Sequence, residues 1–313
     1  MYHRAVRSTE AGLVDVVRDF LAAHRSLRRI FERHRRGTLR FDEVQALAGD
    51  TEASPLFRLK ELCHALFRAG ELGGDALFDL AVGSLFHEAM KLRENLYQLE
   101  VYAPKVDAAR TRAEPGNEGL FEEFARILAA SRVRLAEAFA ECEALLEQTR
   151  RQFRGLLAAH RCNGLVARYL IENAAGTEEV LGEPLDAFFT SVHGSAVAAW
   201  ALASRSYLES GYFDEARRAL GEALAREPDR SDLRRDAAYA AGMSAYLRGR
   251  YADALQQLER WMDCDPPAGD ARFRELAHAA VTRLPPLVDA AECGALTERA
   301  ASLSRRLEAK PAS

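Results

Sequence analysis

Residues 197–230, and a second stretch beginning at Arg235, carry small, bulky and helix-stopping residues at matching intervals, which restricts this part of the chain to paired antiparallel helices. Counting from Val197, Trp200 stands at position 4, Ala203 at 7, Ser204 at 8, Tyr207 at 11, Gly211 at 15, Tyr212 at 16, Ala216 at 20, Leu220 at 24, Ala223 at 27 and Pro228 at 32. Counting from Arg235, the slots hold Gly242 at 8, Ala245 at 11, Gly249 at 15, Tyr251 at 17, Ala254 at 20, Leu258 at 24, Trp261 at 27 and Pro266 at 32. Small residues at 8 and 20 let two helix backbones approach, and bulky ones at 4, 11 or 24 fill the space a neighbour leaves. Proline at 32 ends the second helix, because its ring removes a donor and clashes with the preceding turn. The second copy departs at 4 (Ala238) and 11 (Ala245), with Tyr246 and Trp261 available to restore the volume. Four residues, Ser231 to Arg234, separate the copies and are expected to lengthen the turn between them.

This pattern resembles the tetratricopeptide (TPR) repeat. The resemblance covers about 70 of the 313 residues and implies a curved stack of helical hairpins that binds other proteins. Two units cannot bury both of their faces, since such stacks need about three. A degenerate third unit is therefore expected at Phe273, Leu276, Ala277 and Ala280, closed by Pro285-Pro286. A capping helix is expected over 287–307, with Arg299, Arg305 and Arg306 facing water. A short helix over 183–189, with Pro184 in its first turn, covers the other end.

The resemblance also assigns a concave binding face to positions 2, 5, 9, 12 and 13. These are Ala198, Ala201, Arg205, Leu208 and Glu209 in the first copy, and Asp236, Tyr239, Met243, Tyr246 and Leu247 in the second. Clamping a C-terminal carboxylate needs Lys and Asn at several of these slots, and only Arg205 is cationic. Leu208, Tyr239, Met243 and Tyr246 instead offer an adaptable apolar lining for a helix or an extended peptide, with Arg205 selecting an acidic group. The alternative occupant of the groove is the N-terminal part of the same chain.

Outside the repeats the apolar spacing is helical throughout, with no alternating β-branched run, so the fold class is all-α. We expect an N-terminal helical bundle over 1–175, a connector and capping helix over 176–196, and the TPR-like array over 197–313. Within the bundle, helices are expected over 10–34, 41–47, 55–69, 75–101 and 120–161. Ser54-Pro55 supplies one start and Gly70 its stop. Pro104 is expected to end the fourth helix, residues 114–117 to turn, and Gly164 and Gly176 to interrupt the chain after the fifth helix.

A chain that is 48% hydrophobic and 29% charged is ordinary for a soluble protein, and no run approaches 18 apolar residues. No apolar leader stands after Met1. With no such leader and no spanning run a cytoplasmic protein is expected, and the five cysteines, standing singly without a CxxC pair, argue neither for a disulfide framework nor for a zinc site. Arginine supplies 39 of the 43 basic residues, a coding bias expected of a GC-rich bacterial genome. Residues 1–40 hold ten arginines against four acids. Arg25, Arg28, Arg29, Arg33 and Arg36, beside Leu27, Ile30 and Phe31, make a basic patch suited to an acidic protein surface. Without interleaved aromatics or a recognition helix, nucleic acid is disfavoured as a partner, and a membrane equally so.

Sites for chemistry are sparse. His87, Glu88 and Glu94 share the polar stripe of the 75–101 helix, yet His87 and Glu94 stand about 10.5 Å apart along its axis and HExxH is absent. Glu61 and His64 have the spacing used in di-iron bundles but lack the companion carboxylates. The stretch 32–43 has the glycine and final glutamate of a calcium loop, with Glu32, His34 and Arg36 where short oxygen ligands belong. Phosphate-binding, dinucleotide and nucleophile-elbow motifs do not occur. The expectation is a non-enzymatic interaction adaptor with no cofactor or metal. The alternatives are a helical metal- or ligand-binding protein with its site near His87, Glu88 and Glu94, and a structural subunit of a larger complex.

Overall fold

The computed structural model describes residues 9–70, 76–112, 118–264, 271–283 and 293–308, and the regular elements among them are all helical. In chain order these are α1 (Thr9–Arg35), α2 (Phe41–Ala48), α3 (Pro55–Arg68), α4 (Ala76–Leu96), a π-helical turn (Tyr97–Tyr102), α5 (Ala103–Arg110), α6 (Glu118–Ala159), α7 (Gly164–Glu172) and α8 (Ala174–Leu181). They continue with α9 (Leu185–His193), α10 (Ala196–Glu209), α11 (Phe213–Arg226), α12 (Ser231–Leu247), α13 (Tyr251–Asp263), α14 (Ala271–Thr282) and α15 (Cys293–Glu308). Pro266, Pro285, Pro286 and the 114–117 turn lie outside the described residues.

The chain divides into two compact units, and the boundary differs from the expected 1–175, 176–196 and 197–313. One unit comprises 1–161 with 173–185, the other 162–172 with 186–313. The segment 164–172, which falls inside the expected 1–175 region, forms α7 and belongs to the second unit. The reason is a close backbone approach: a Cβ on Gly164 would lie 3.2 Å from both the Leu202 carbonyl oxygen and Ser206 Cβ of α10. Val166, Ala167 and Leu170 bury the rest of the contacting face.

In the first unit α4 lies along α6, α1 packs on α3, α3 on α4, and α8 on α1 and α6. Phe20, Phe78 and Phe153 meet at the centre with ring centroids 4.3 to 6.0 Å apart. Each is fully buried, as are Leu56 and Leu59. Asp19 is buried with them, and Arg58 satisfies both its oxygens at 2.6 and 3.0 Å, tying α1 to α3. Two expected helix breaks do not occur. Pro104 lies near the start of α5 instead of ending α4. The π turn before it widens the backbone, with the Ala103 N–H reaching the Gln98 carbonyl, so proline's missing donor and ring are accommodated. Gly176 sits inside α8, and the stop is Gly182, at φ +72°, whose N–H closes on the Glu178 carbonyl at 2.8 Å.

In the second unit α7 packs on α10, then α10 on α11, α11 on α12, α12 on α13, and both α13 and α14 on α15. The two sequence copies adopt the same local geometry. Gly211 and Gly249 both turn the chain in the left-handed region, at φ +79° and +72°. The Tyr212 N–H returns to the Tyr207 carbonyl at 2.9 Å, and the Arg250 N–H to the Ala245 carbonyl at 2.9 Å. Ala216 and Ala254 are both fully buried. A Cβ on Gly242 would lie 2.8 Å from Leu258 Cγ and 3.3 Å from the Ala254 carbonyl oxygen, so α12 and α13 meet where position 8 is small.

The four residues between the copies do not lengthen the turn. Ser231 to Arg234 form the first turn of α12, which spans 17 residues against 14 in α10. Four residues are close to one helical turn, so the insertion extends the helix while nearly keeping its face, and Leu233 is buried.

Candidate protein-binding surface

Ten residues are expected to line a concave face, and the structure splits them. Tyr239, 1% exposed, lies in the core with Met243 and Leu208, so three of the four apolar side chains expected to carry binding are not on an open trough. The cause is α14. Phe273 sits 4.9 Å from the Tyr239 ring, with Trp261 at 5.1 Å and Phe213 at 6.0 Å completing the cluster. An apolar trough flanked by a third amphipathic helix is more stable filled than wet.

Arg205 is likewise engaged within the unit. Its guanidinium covers the Phe273 ring at 4.2 Å, lies 3.5 Å from Glu209 and reaches Asp236 at 4.0 Å. Asp236 also meets Arg235 at 2.9 Å. Ala198 and Ala201 are half-buried. What stays open is the end of the face at positions 12 and 13: Glu209 is exposed, Tyr246 is partly so, and Leu247 is 67% exposed. Tyr212, 51% exposed, carries Arg168 over its ring at 4.7 Å.

Phe273, Ala277 and Ala280 of the expected third unit are buried, whereas Leu276 is exposed. Two of the three arginines expected to face water fasten α15 to α13: Arg299 to Glu259 and Arg306 to Asp263, both at 2.7 Å.

A cleft that sequence spacing does not reveal opens beside α7, because α7 is distant in sequence from the helices it joins. It holds about 500 Å³ and is lined by Ile171, Trp200 and Tyr207 with charged residues of α11. Trp200 Nε1 donates to Asp186 at 3.1 Å, and the Tyr207 hydroxyl donates to Glu172 at 2.8 Å. Burial and the Glu172 bond push the Tyr207 phenol well above its ordinary range. Burial works against the Asp186 carboxylate, yet its bonds from Arg226 and Trp200 hold it below the ordinary value. Both groups are fixed in one protonation state near neutrality, which suits a positioning network.

The chain matches no family model, no characterised sequence and no solved structure.

Arg25, Arg28, Arg29, Arg33 and Arg36 are all on the surface. Arg33 is bound to Glu43 and to the Thr38 carbonyl, and Arg25 to the Leu21 carbonyl. Gly37, at φ +64°, turns α1 toward α2, so the calcium-loop echo is a helix corner. His87 and Glu88 border a cleft of about 800 Å³ with Lys60, Glu61, His64, Asp79 and Glu141, whereas Glu94 is not part of its lining. Within it His64 Nδ1 approaches Asp79 at 3.6 Å, and Glu88 pairs with Lys91. Among the described residues no group of three or more His, Cys, Asp or Glu is arranged to hold a metal ion. Cys63 and Cys142 are buried, and burial raises both thiols far above the range of a nucleophile. No helix of the described residues is long and apolar enough to cross a membrane.

Proposed function

We propose that this chain is a non-enzymatic adaptor whose second unit is a short TPR-like array that holds a partner protein. The observation that carries this reading is one hairpin geometry used twice, with left-handed glycines at Gly211 and Gly249 and closely nested helices at Gly242. Because Tyr239, Met243 and Leu208 are committed to the core, the contact surface is the rim formed by Tyr246, Leu247 and Glu209. A helix or extended peptide with an apolar residue for Leu247 fits it. We also propose a cytoplasmic location, on the strength of single cysteines with buried free thiols at Cys63 and Cys142.

The test is affinity capture from cells that express the chain natively, comparing wild type with Leu247→Asp plus Tyr246→Ala. Both positions are at least partly solvated, so the variant keeps its helical circular dichroism. It is expected to lose about tenfold of a stoichiometric partner, the effect of removing one contact worth roughly 1.4 kcal/mol. Undiminished capture by the variant, or no stoichiometric partner at all, overturns the reading.

A second reading, a small-ligand site in the first unit, is favoured by the open cleft beside His87 and Glu88. Stoichiometric metal or small molecule retained through purification separates it from the adaptor.

A further inference from the structure

None of residues 118–130 of α6 is buried, and the first buried residue of this 42-residue helix is Ser131. The segment is not polar. Leu120 is 55% exposed and Ile127 42%, while Phe121, Phe124 and Leu128 are half-buried, Phe124 lying 6.0 Å from Tyr102. From Ser131 onward the same stripe continues through Leu135, Ala138 and Cys142, all buried. At 3.6 residues per turn, Leu120, Phe124 and Ile127 are aligned with it. The amphipathic face therefore extends about three turns beyond the part that its own unit fully buries.

The charges flanking this face are self-complementary. Glu123 and Arg134 are eleven residues apart, about three turns, so they lie on one edge of the helix with Ile127 between them. Two copies of the segment packed antiparallel across a two-fold axis set Glu123 of each against Arg134 of the other, making the contact twice. A parallel pair sets like charge against like. Glu123 already holds Arg126 on one oxygen, and a carboxylate accepts on two.

We propose that residues 118–134 form a self-association surface whose occupant is the same segment of a second copy, antiparallel, with Ile127 near its centre and the Glu123 to Arg134 pairs at its edge. This goes beyond the adaptor reading: an assembly of two chains presents two partner-binding rims.

The test is the mass of the full chain by light scattering after size exclusion, loaded at about 100 µM, where an interface of this small size is populated. Wild type is expected at twice the chain mass. Glu123→Arg alone and Arg134→Glu alone each run at the monomer mass, with unchanged helicity since both positions are exposed. Mixing these two variants restores the dimer, because the mixed pair has opposite charges at both contacts, and the double variant dimerises by itself. Monomeric wild type, single variants that dimerise like wild type, or a mixture that stays monomeric would each overturn the proposal.

Discussion

His24 is buried beside Phe20, its Nδ1 has no hydrogen-bond partner among the described residues, and Arg28 and Arg150 add positive potential that Glu147 only partly offsets. Burial first, and these guanidiniums second, lower its pKa from 6.5 to about 4. The proton therefore binds the unfolded chain more tightly. Stability is intact above pH 6.5, falls as pH drops from 6.5 toward 4, and stops falling below that. The loss is on the order of 3–4 kcal/mol, since each tenfold weakening of proton affinity corresponds to about 1.4 kcal/mol. Urea unfolding at several pH values in this window is expected to show His24→Leu losing that part of the slope; identical slopes for variant and wild type would refute the assignment. Arg28 is one helical turn from His24 on α1 and is legible in the sequence, but Arg150 comes from α6, more than a hundred residues away, and only the fold brings it near.

At the scale of helices, the contacts that organise the second unit are backbone approaches permitted by small side chains. Gly242 and Gly155 are both helical glycines, yet a Cβ on the first would meet Leu258 and the Ala254 carbonyl, while one on the second would meet nothing within 4 Å among the described residues beyond its own helix backbone. Alanine gains roughly 1 kcal/mol over glycine in a helix interior. Gly155→Ala is therefore expected to stabilise by about that amount. Gly242→Ala must push Leu258 and α13 away, an overpacking cost of about 1–3 kcal/mol that outweighs the gain. Chemical denaturation of the two variants checks the opposite signs, and stabilisation by Gly242→Ala would mean that the helices are not nested there. Position 8 of the repeat is legible as small because both copies are small. The course of α12 is not, since Ser231 to Arg234 have the composition of a linker and the helix absorbs them as one added turn. Pro104 misleads for a related reason: a local rule against proline is met by a π turn whose sequence carries no distinct signal.

For the whole molecule, the division of the chain is the main consequence of tertiary contact. Because α7 belongs with 186–313, a fragment spanning 162–313 is expected to fold cooperatively, whereas 186–313 alone uncovers the faces that met Val166 and Leu170. Two aliphatic side chains of that size are worth roughly 3–6 kcal/mol of burial. Thermal unfolding of the two fragments tests this, and equal stability would show that α7 is dispensable.

Helix type, most helix boundaries and the repeat of small residues at 8 and 20 were determined by the chain itself, because they depend on periodicities of 3.6 residues and on the backbone freedom of single residues. Which apolar faces remain open was not. Tyr239 and Leu247 both sit at slots assigned to the binding face, and only the seating of Phe273 makes one of them core and leaves the other on the surface. Amphipathic helices specify that a face will be covered, while the choice of cover is a competition among distant segments that tertiary packing alone resolves.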